Sequence, residues 1–237
     1  MNIVVTGASR GIGREMARLF AADENNSTIA ISRNRDRLTE LRSECLKSNK
    51  LSRLIPVIYD LTQLSSDEQF MKKVIFPHFD HIDILINNAG YLKSSSFTET
   101  SSSEAGFMLS VNYSAPAELI RKMIPYMGIN GPGHVVNISS MGGVQGSVKF
   151  SGLAHYSASK SALATLTECL AEEFKETRIR FNCLALGAVQ TEMLAEAFPG
   201  YKAPLPATEA AEFIVDFAIN GHRFFNGKIV PVSLSTP

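Results

Sequence analysis

Thr6-Gly7-Ala8-Ser9-Arg10-Gly11-Ile12-Gly13 follows the apolar run Ile3-Val4-Val5 and leads into Arg14 to Ala22, a segment of helical periodicity. That order predicts a strand, a glycine turn and a helix start. Glycines let a backbone bend sharply and approach a bound group, while the helix beyond them offers free N–H groups and the positive end of its dipole. A pyrophosphate suits this combination, so the stretch points to a dinucleotide. Its spacing is G-x-x-x-G-x-G rather than the general G-x-G-x-x-G, and a glycine-rich connection that binds nothing is the alternative reading. The decision lies in the rest of the chain.

Short β-branched runs alternate with longer amphipathic segments throughout, the pattern of βαβ units around a parallel sheet. Strands are expected near 2–6, 28–32, 54–59, 82–87, 133–139, 179–185 and 228–232, and helices near 11–22, 35–49, 66–78, 101–127, 155–176 and 207–219. Ile82 to Ile86 and His134 to Ile138 are almost continuously apolar, as strands covered on both faces are. The chain has 237 residues, 45% of them hydrophobic, enough for a buried core, and no repeat or linker interrupts it. One α/β domain spanning 1–237 is expected, a doubly wound parallel sheet of about seven strands with helices on both faces.

Lysine plus arginine and aspartate plus glutamate both number 23, and no basic tract is present, which argues against a nucleic-acid or membrane partner. Cys45, Cys169 and Cys183 are odd in number without C-x-x-C spacing, as reduced thiols would be. His78, His81, His134, His155 and His222 show no metal-binding spacing and read as ordinary surface or turn residues, so no metal is expected. No signal-like or membrane-spanning stretch is visible, and a cytoplasmic location is expected.

The second strand ends at Ile31-Ser32-Arg33-Asn34, where an NAD site presents an acid to the adenosine ribose. Ser32 and Arg33 stand there instead. A guanidinium can hold a 2′-phosphate through charge-assisted hydrogen bonds, and Arg10 lies within reach of the same group, which favours NADP(H). The alternative makes Arg33, with Arg35 and Arg37, a solvated helix start. Asp60 and the run Asn87-Asn88-Ala89-Gly90 fall at carboxyl strand ends, the ligand edge of an open parallel sheet. Ser139 and Ser140 close the fifth strand. Tyr156 and Lys160, four apart, share a helix face, where the ammonium is expected to favour phenolate and lower a phenol pKa of about 10.

Taken together, the Thr6–Gly13 loop, Asn87-Asn88-Ala89-Gly90, Asn112, Ile138-Ser139-Ser140 and Tyr156-Ser157-Ala158-Ser159-Lys160 resemble the short-chain dehydrogenase/reductase family, in the family's order. The resemblance implies a Rossmann-like fold and hydride transfer between a nicotinamide and a carbonyl or alcohol. It implies Tyr156 as acid/base, Lys160 at the nicotinamide ribose, Ser140 rather than Ser139 on the substrate oxygen, and Asn112 holding a relay water near Lys160. Gly7, Gly11 and Gly13 would meet the phosphates, with Ser9, Arg10 and Ile12 in the same loop. Asp60 and Leu61 would meet adenine, Ser32 and Arg33 the ribose side, and Asn88, Ala89 and Gly90 the adenosine half. In the run Gly187-Ala188-Val189-Gln190-Thr191, Gly187 and Val189 would also meet the cofactor, and Thr191 would bond the carboxamide or a phosphate.

Two departures stand out. Leu186-Gly187 replaces the family's usual Pro-Gly, predicting a looser turn, and the stretch from Ser140 to Tyr156 is longer than usual. A short lid, about 187–206 with Glu192 to Pro206 as its body, carries Met193, Leu194, Phe198 and Tyr201 for a partly apolar pocket, a plain connection to the last helix being the alternative. The implied activity is an NADP-dependent carbonyl reductase or alcohol dehydrogenase acting on a small molecule, with a 3-oxoacyl thioester reductase of fatty-acid synthesis and a catalytically silent NADP-sensing or scaffold protein as alternatives. Segments 101–127 and 155–176 resemble the helix pair through which the family forms homodimers and homotetramers.

Overall fold

A computed structural model describes residues 1–234. The chain runs β1 (Asn2–Thr6), α1 (Gly11–Ala22), β2 (Ser27–Ser32), α2 (Arg35–Ser48), β3 (Arg53–Ile58), β4 (Ile84–Asn87), α3 (Ser102–Leu109) and α4 (Ala115–Met123). It continues through β5 (Gly133–Ser140), α5 (Ala154–Glu173), β6 (Ile179–Leu186), β7 (Val189–Gln190), α6 (Glu192–Ala197), β8 (Leu205–Pro206), α7 (Ala207–Asn220) and β9 (Lys228–Val232). Seven strands form one sheet in the order β3-β2-β1-β4-β5-β6-β9, every pairing parallel. The order reverses between β1 and β4, so the carboxyl ends of these two strands open a crevice.

Side-chain alternation divides the core between the two faces. Ile3, Val5 and Ala30 join Met16, Phe20, Leu38 and Ile214 on one side, whereas Val4, Ile29 and Ile31 join Phe70, Leu119 and Met123 on the other. Both faces of the strands are therefore buried, which is why their sequences are so continuously apolar.

Two expected helices differ. No α-helix forms over 66–78; the segment makes turns and one wide turn, Met71–Ile75, whose bond joins groups five residues apart. At the start of the segment Asp67 accepts the Gln69 N–H at 2.9 Å and the Tyr59 hydroxyl at 3.0 Å. Phe70 and Ile75, five apart and both buried, share one face of that wider turn. The helix expected over 101–127 is broken by a second wide turn, Ser110–Ser114. Pro116 has no N–H for the carbonyl four residues earlier, that of Asn112, and its ring would crowd it; the wider turn relieves the conflict.

The turn after β6 is not loosened by Leu186. A proline there would carry no N–H, whereas Leu186 continues the ladder opposite Ser140 and Val232, and Gly187 N–H donates to Val232 O at 2.9 Å. Among the described residues no helix is long and apolar enough to cross a membrane, and no cluster of potential ligands is suited to a metal. His134 is neither a surface nor a turn residue: it is buried in β5, and its ring is bonded to Ala218 O at 2.8 Å and to the Asn182 amide at 3.0 Å.

Candidate active site

The glycine loop turns through left-handed backbone at Gly7 (φ 69°) and Gly11 (φ 55°). Arg10 caps α1 without a side-chain bond, and the first turn has no acid, so the amides of Gly11, Ile12 and Gly13 border the crevice as an uncapped helix end. A Cβ on Gly13 would stand 2.3 Å from Gly7 O and 2.4 Å from Asn88 Nδ2, so only glycine lets the helix seat this closely. Thr6 fastens the two central turns together: its hydroxyl accepts the Asn88 and Ala89 N–H groups at 3.0 Å each and donates to Ile86 O at 3.2 Å. An open helix end beside tight glycine turns fits the pyrophosphate of a dinucleotide.

From this loop a cavity of about 710 Å³ runs past Ser32, Arg33, Asp60 and Leu61 at one end and past Ser140, Tyr156, Lys160, Gly187, Val189 and Thr191 at the other. Asn88, Ala89 and Gly90 line its middle. Toward the first end Ser32 Oγ donates to Ser9 Oγ at 2.8 Å, and Asp60 caps the turn at Leu61 by accepting from Thr62 N–H at 3.0 Å. Arg33 is 67% exposed and 4.0 Å from Asp60. Arg10 points elsewhere, to Glu196 at 2.5 Å and Glu192 at 3.3 Å on the lid helix α6, and Arg37 joins Glu192 at 2.8 Å.

At the second end Tyr156 and Lys160 occupy successive turns of α5. Lys160 is buried, donates to Ile138 O at 2.8 Å and stands 5.9 Å from the centroid of the Tyr156 ring. Burial pushes its ammonium down to about 8. Burial also pushes the Tyr156 phenol up to about 12, against the opposing hydrogen bond from Ser140. The expected net lowering of the phenol by Lys160 is not found: loss of water dominates, and the one opposing influence is Ser140.

Ser140 Oγ accepts Gly142 N–H at 3.2 Å and lines the cavity together with Tyr156, while Ser139 Oγ is committed to Lys160 O at 2.8 Å. Asn112 is buried in the wide turn, where its amide bonds both backbone groups of Tyr91 at 2.8 Å and Ser159 Oγ at 3.0 Å. It makes no direct bond to Lys160; a Cβ on Gly90 would lie 3.5 Å from both Asn112 Oδ1 and Lys160 Nζ, so glycine keeps the space between them open.

The lid residues Met193, Leu194, Phe198 and Tyr201 line the cavity as expected. Sequence reasoning missed Leu92, Phe107, Val111, Met141, Phe150 and Leu153, which complete an apolar wall near Tyr156. Phe107 and Val111, one turn apart just before Asn112, were the readable sign of it. Phe150 and Leu153 come from the long loop after Ser140, whose start is folded back by Ser147 Oγ donating to Met141 O and Val144 O.

A family model described as short chain dehydrogenase matches residues 1–202. An uncharacterized oxidoreductase of Staphylococcus epidermidis is 30% identical over 212 residues, 90% of this chain and 88% of that protein. Dehydrogenase/reductase SDR family member 7B of Xenopus laevis is 32% identical over 203 residues, 84% of this chain and 61% of that one. Among solved structures, a short chain dehydrogenase from Escherichia coli CFT073 complexed with NADPH aligns at a TM-score of 0.86 and 26% identity, over 97% of this chain and 95% of that one.

Proposed function

The chain belongs to the short chain dehydrogenase family, and from that premise we propose that it is an NADPH-dependent reductase of small, largely apolar carbonyl compounds. The observation that carries this reading is the convergence of Tyr156, Ser140 and Lys160 on an apolar wall at one end of a nucleotide-shaped cavity. NADPH, when bound, supplies the hydride. The protein supplies the rest: Ser140 orients the carbonyl oxygen, and Tyr156 donates a proton to it as negative charge develops, a contribution of about 10²–10⁴-fold. Lys160 anchors the nicotinamide ribose beside them, and Asn112 supports a proton path through the space at Gly90. Ser32, Arg33 and Arg10 favour the 2′-phosphate, and the structural relative bound to NADPH supports that choice.

The test is consumption of NADPH and of NADH against ketones, aldehydes, quinones, sugars and 3-oxoacyl thioesters. Turnover of apolar ketones or aldehydes with NADPH supports the reading. Turnover dominated by thioesters replaces it with the acyl reductase, and tight NADPH binding without any turnover replaces it with a sensor.

A further inference from the structure

Arg10 sits at the mouth of the glycine loop and projects from its end, yet its guanidinium is already engaged. One nitrogen meets Glu196 Oε1 at 2.5 Å, the other meets Glu196 Oε2 at 3.3 Å, and Glu192 Oε2 lies 3.3 Å from the first. Glu192 and Glu196 are four apart on α6 and so present both carboxylates on one side. Arg37, from the first turn of α2, holds Glu192 from the far side at 2.8 Å. The helix is brought there by Thr191, whose methyl group lies 3.4 Å from the position a Cβ on Gly11 would take. The lid is thus strapped across the glycine loop by its own acids.

We propose that Glu192 and Glu196 are specificity-determining residues, which weaken the preference for NADPH by occupying Arg10 against the cofactor's 2′-phosphate; the proposal rests on the NADPH reading above. The planar fork that grips a carboxylate through two N–H groups is equally suited to a phosphate, so both anions compete for one donor. Around this end of the cavity stand three guanidiniums, Arg10, Arg33 and Arg37, and three carboxylates, Asp60, Glu192 and Glu196. The group is balanced as it stands. A phosphate arriving there must displace the lid acids from Arg10 or remain beside them as a like charge. NADH brings no such group and does not enter the competition. Glu196 matters more than Glu192, because Arg37 retains Glu192 whatever Arg10 does, whereas Glu196 has Arg10 as its partner. Exposed ion pairs of this kind add little to fold stability, so their removal is a mild change to the protein as a whole.

The experiment is fluorescence or calorimetric titration of the wild-type protein, Glu196→Gln, Glu192→Gln/Glu196→Gln and Arg37→Met with NADPH and NADH, repeated with 2′,5′-ADP and 5′-AMP. Glu196→Gln is expected to tighten NADPH and 2′,5′-ADP by about threefold to fivefold, the range of one exposed charge pair, leaving NADH and 5′-AMP unchanged. The double variant goes further, and the gain shrinks with added salt because these charges are exposed. Arg37→Met, which releases Glu192 onto Arg10, is expected to weaken NADPH alone. A NADPH-to-NADH affinity ratio that does not move in the double variant overturns the inference. So does a parallel loss for both cofactors, which would make the strap a plain support of the lid. The wild-type ratio tests the cofactor reading separately: a wild-type protein that binds 2′,5′-ADP no more tightly than 5′-AMP overturns that reading, while the shift between wild type and the double variant alone decides the inference.

Discussion

Lys160 gives its ammonium to the carbonyl oxygen of Ile138 at 2.8 Å and stands 5.9 Å from the ring centroid of Tyr156, the phenol one helical turn before it. The pair shares a helix face, but the hydrogen bond ties the cation to β5. That arrangement fixes the lysine while leaving the phenol protonated, as carbonyl reduction requires of a proton donor.

The Lys160 charge is then the part of the site most sensitive to pH. Its ammonium is lowered to about 8 by burial, so it is charged below that value and neutral above it. Because kcat/KM for NADPH reports groups of the cofactor-free enzyme, that parameter is expected to be level at pH 6–7 and to fall as pH rises through about 8. Tyr156, pushed up to about 12, would add no inflection in that range. Lys160→Arg, which keeps its charge, should remove the inflection; a profile unchanged by that substitution would assign it to another group.

Tyr156→Phe should abolish most turnover and spare cofactor affinity, since it deletes the proton donor and keeps the ring on the cavity wall. A loss of about 10²–10⁴-fold in kcat is expected. Single-turnover kinetics with NADPH binding measured in parallel will check it, and near-normal turnover would mean that another group protonates the substrate oxygen.

Gly13→Ala should damage nucleotide binding and stability together. Its methyl group would meet the Gly7 carbonyl at 2.3 Å, a backbone atom that cannot rotate away. Overpacking of this kind costs about 1–3 kcal/mol, readable in urea denaturation, and the displaced helix end should lower affinity for both NADPH and NADH. A stable variant with unaltered binding would show that α1 can shift without disturbing its amides.

Much of the architecture was legible because both faces of the sheet are covered: Ile3-Val4-Val5 and Ile84-Leu85-Ile86 leave no ambiguity about strands that must be apolar on each side. The glycine loop and the Tyr156/Lys160 pair were legible because local spacing alone places them. A helix kink at Asn112 was an alternative open to the sequence, but its form, a wide turn that resolves the conflict between helix bonding and Pro116, was not legible, and neither was the wide turn at Met71–Ile75. Nor could spacing show the partners of Arg10. Glu192 and Glu196 lie more than 180 residues away in the chain, and only the docking of α6 on the loop brings them near. The phenol's high pKa was missed for a related reason: helical spacing reports a neighbouring charge, not the loss of solvent.

His134 should make the protein acid-sensitive. Ala218 O accepts from Nδ1, which leaves Nε2 to accept from the Asn182 amide, so the buried ring is held neutral, with its pKa lowered to about 4 by burial. An unfolded chain binds a proton at this residue near pH 6.5, and the folded one does not until about 4. Stability from this group is therefore present above pH 6.5 and lost as pH falls toward 4, by on the order of 3 kcal/mol. Urea denaturation across pH 4–7 should show that slope reduced in His134→Asn, and an identical slope would assign it to the carboxylates.

Arg33→Ala should erode the preference for NADPH by weakening NADPH and leaving NADH little changed. Arg33 is the freest guanidinium near Ser32: it is 67% exposed, and its contact with Asp60, at 4.0 Å, is the longest ion pair at this end of the cavity. A charge-assisted bond to a 2′-phosphate contributes about 1.5–3 kcal/mol, which corresponds to roughly one to two decades in affinity. The exposure of the side chain places the expected loss at the lower end, near tenfold. Arg10, drawn from the lid acids by the phosphate, retains part of the preference, so Arg10→Ala/Arg33→Ala should lose more than either single substitution. Titration of both cofactors decides it: equal weakening of NADPH and NADH by Arg33→Ala would make this arginine a support of the turn after β2 rather than a reader of the phosphate.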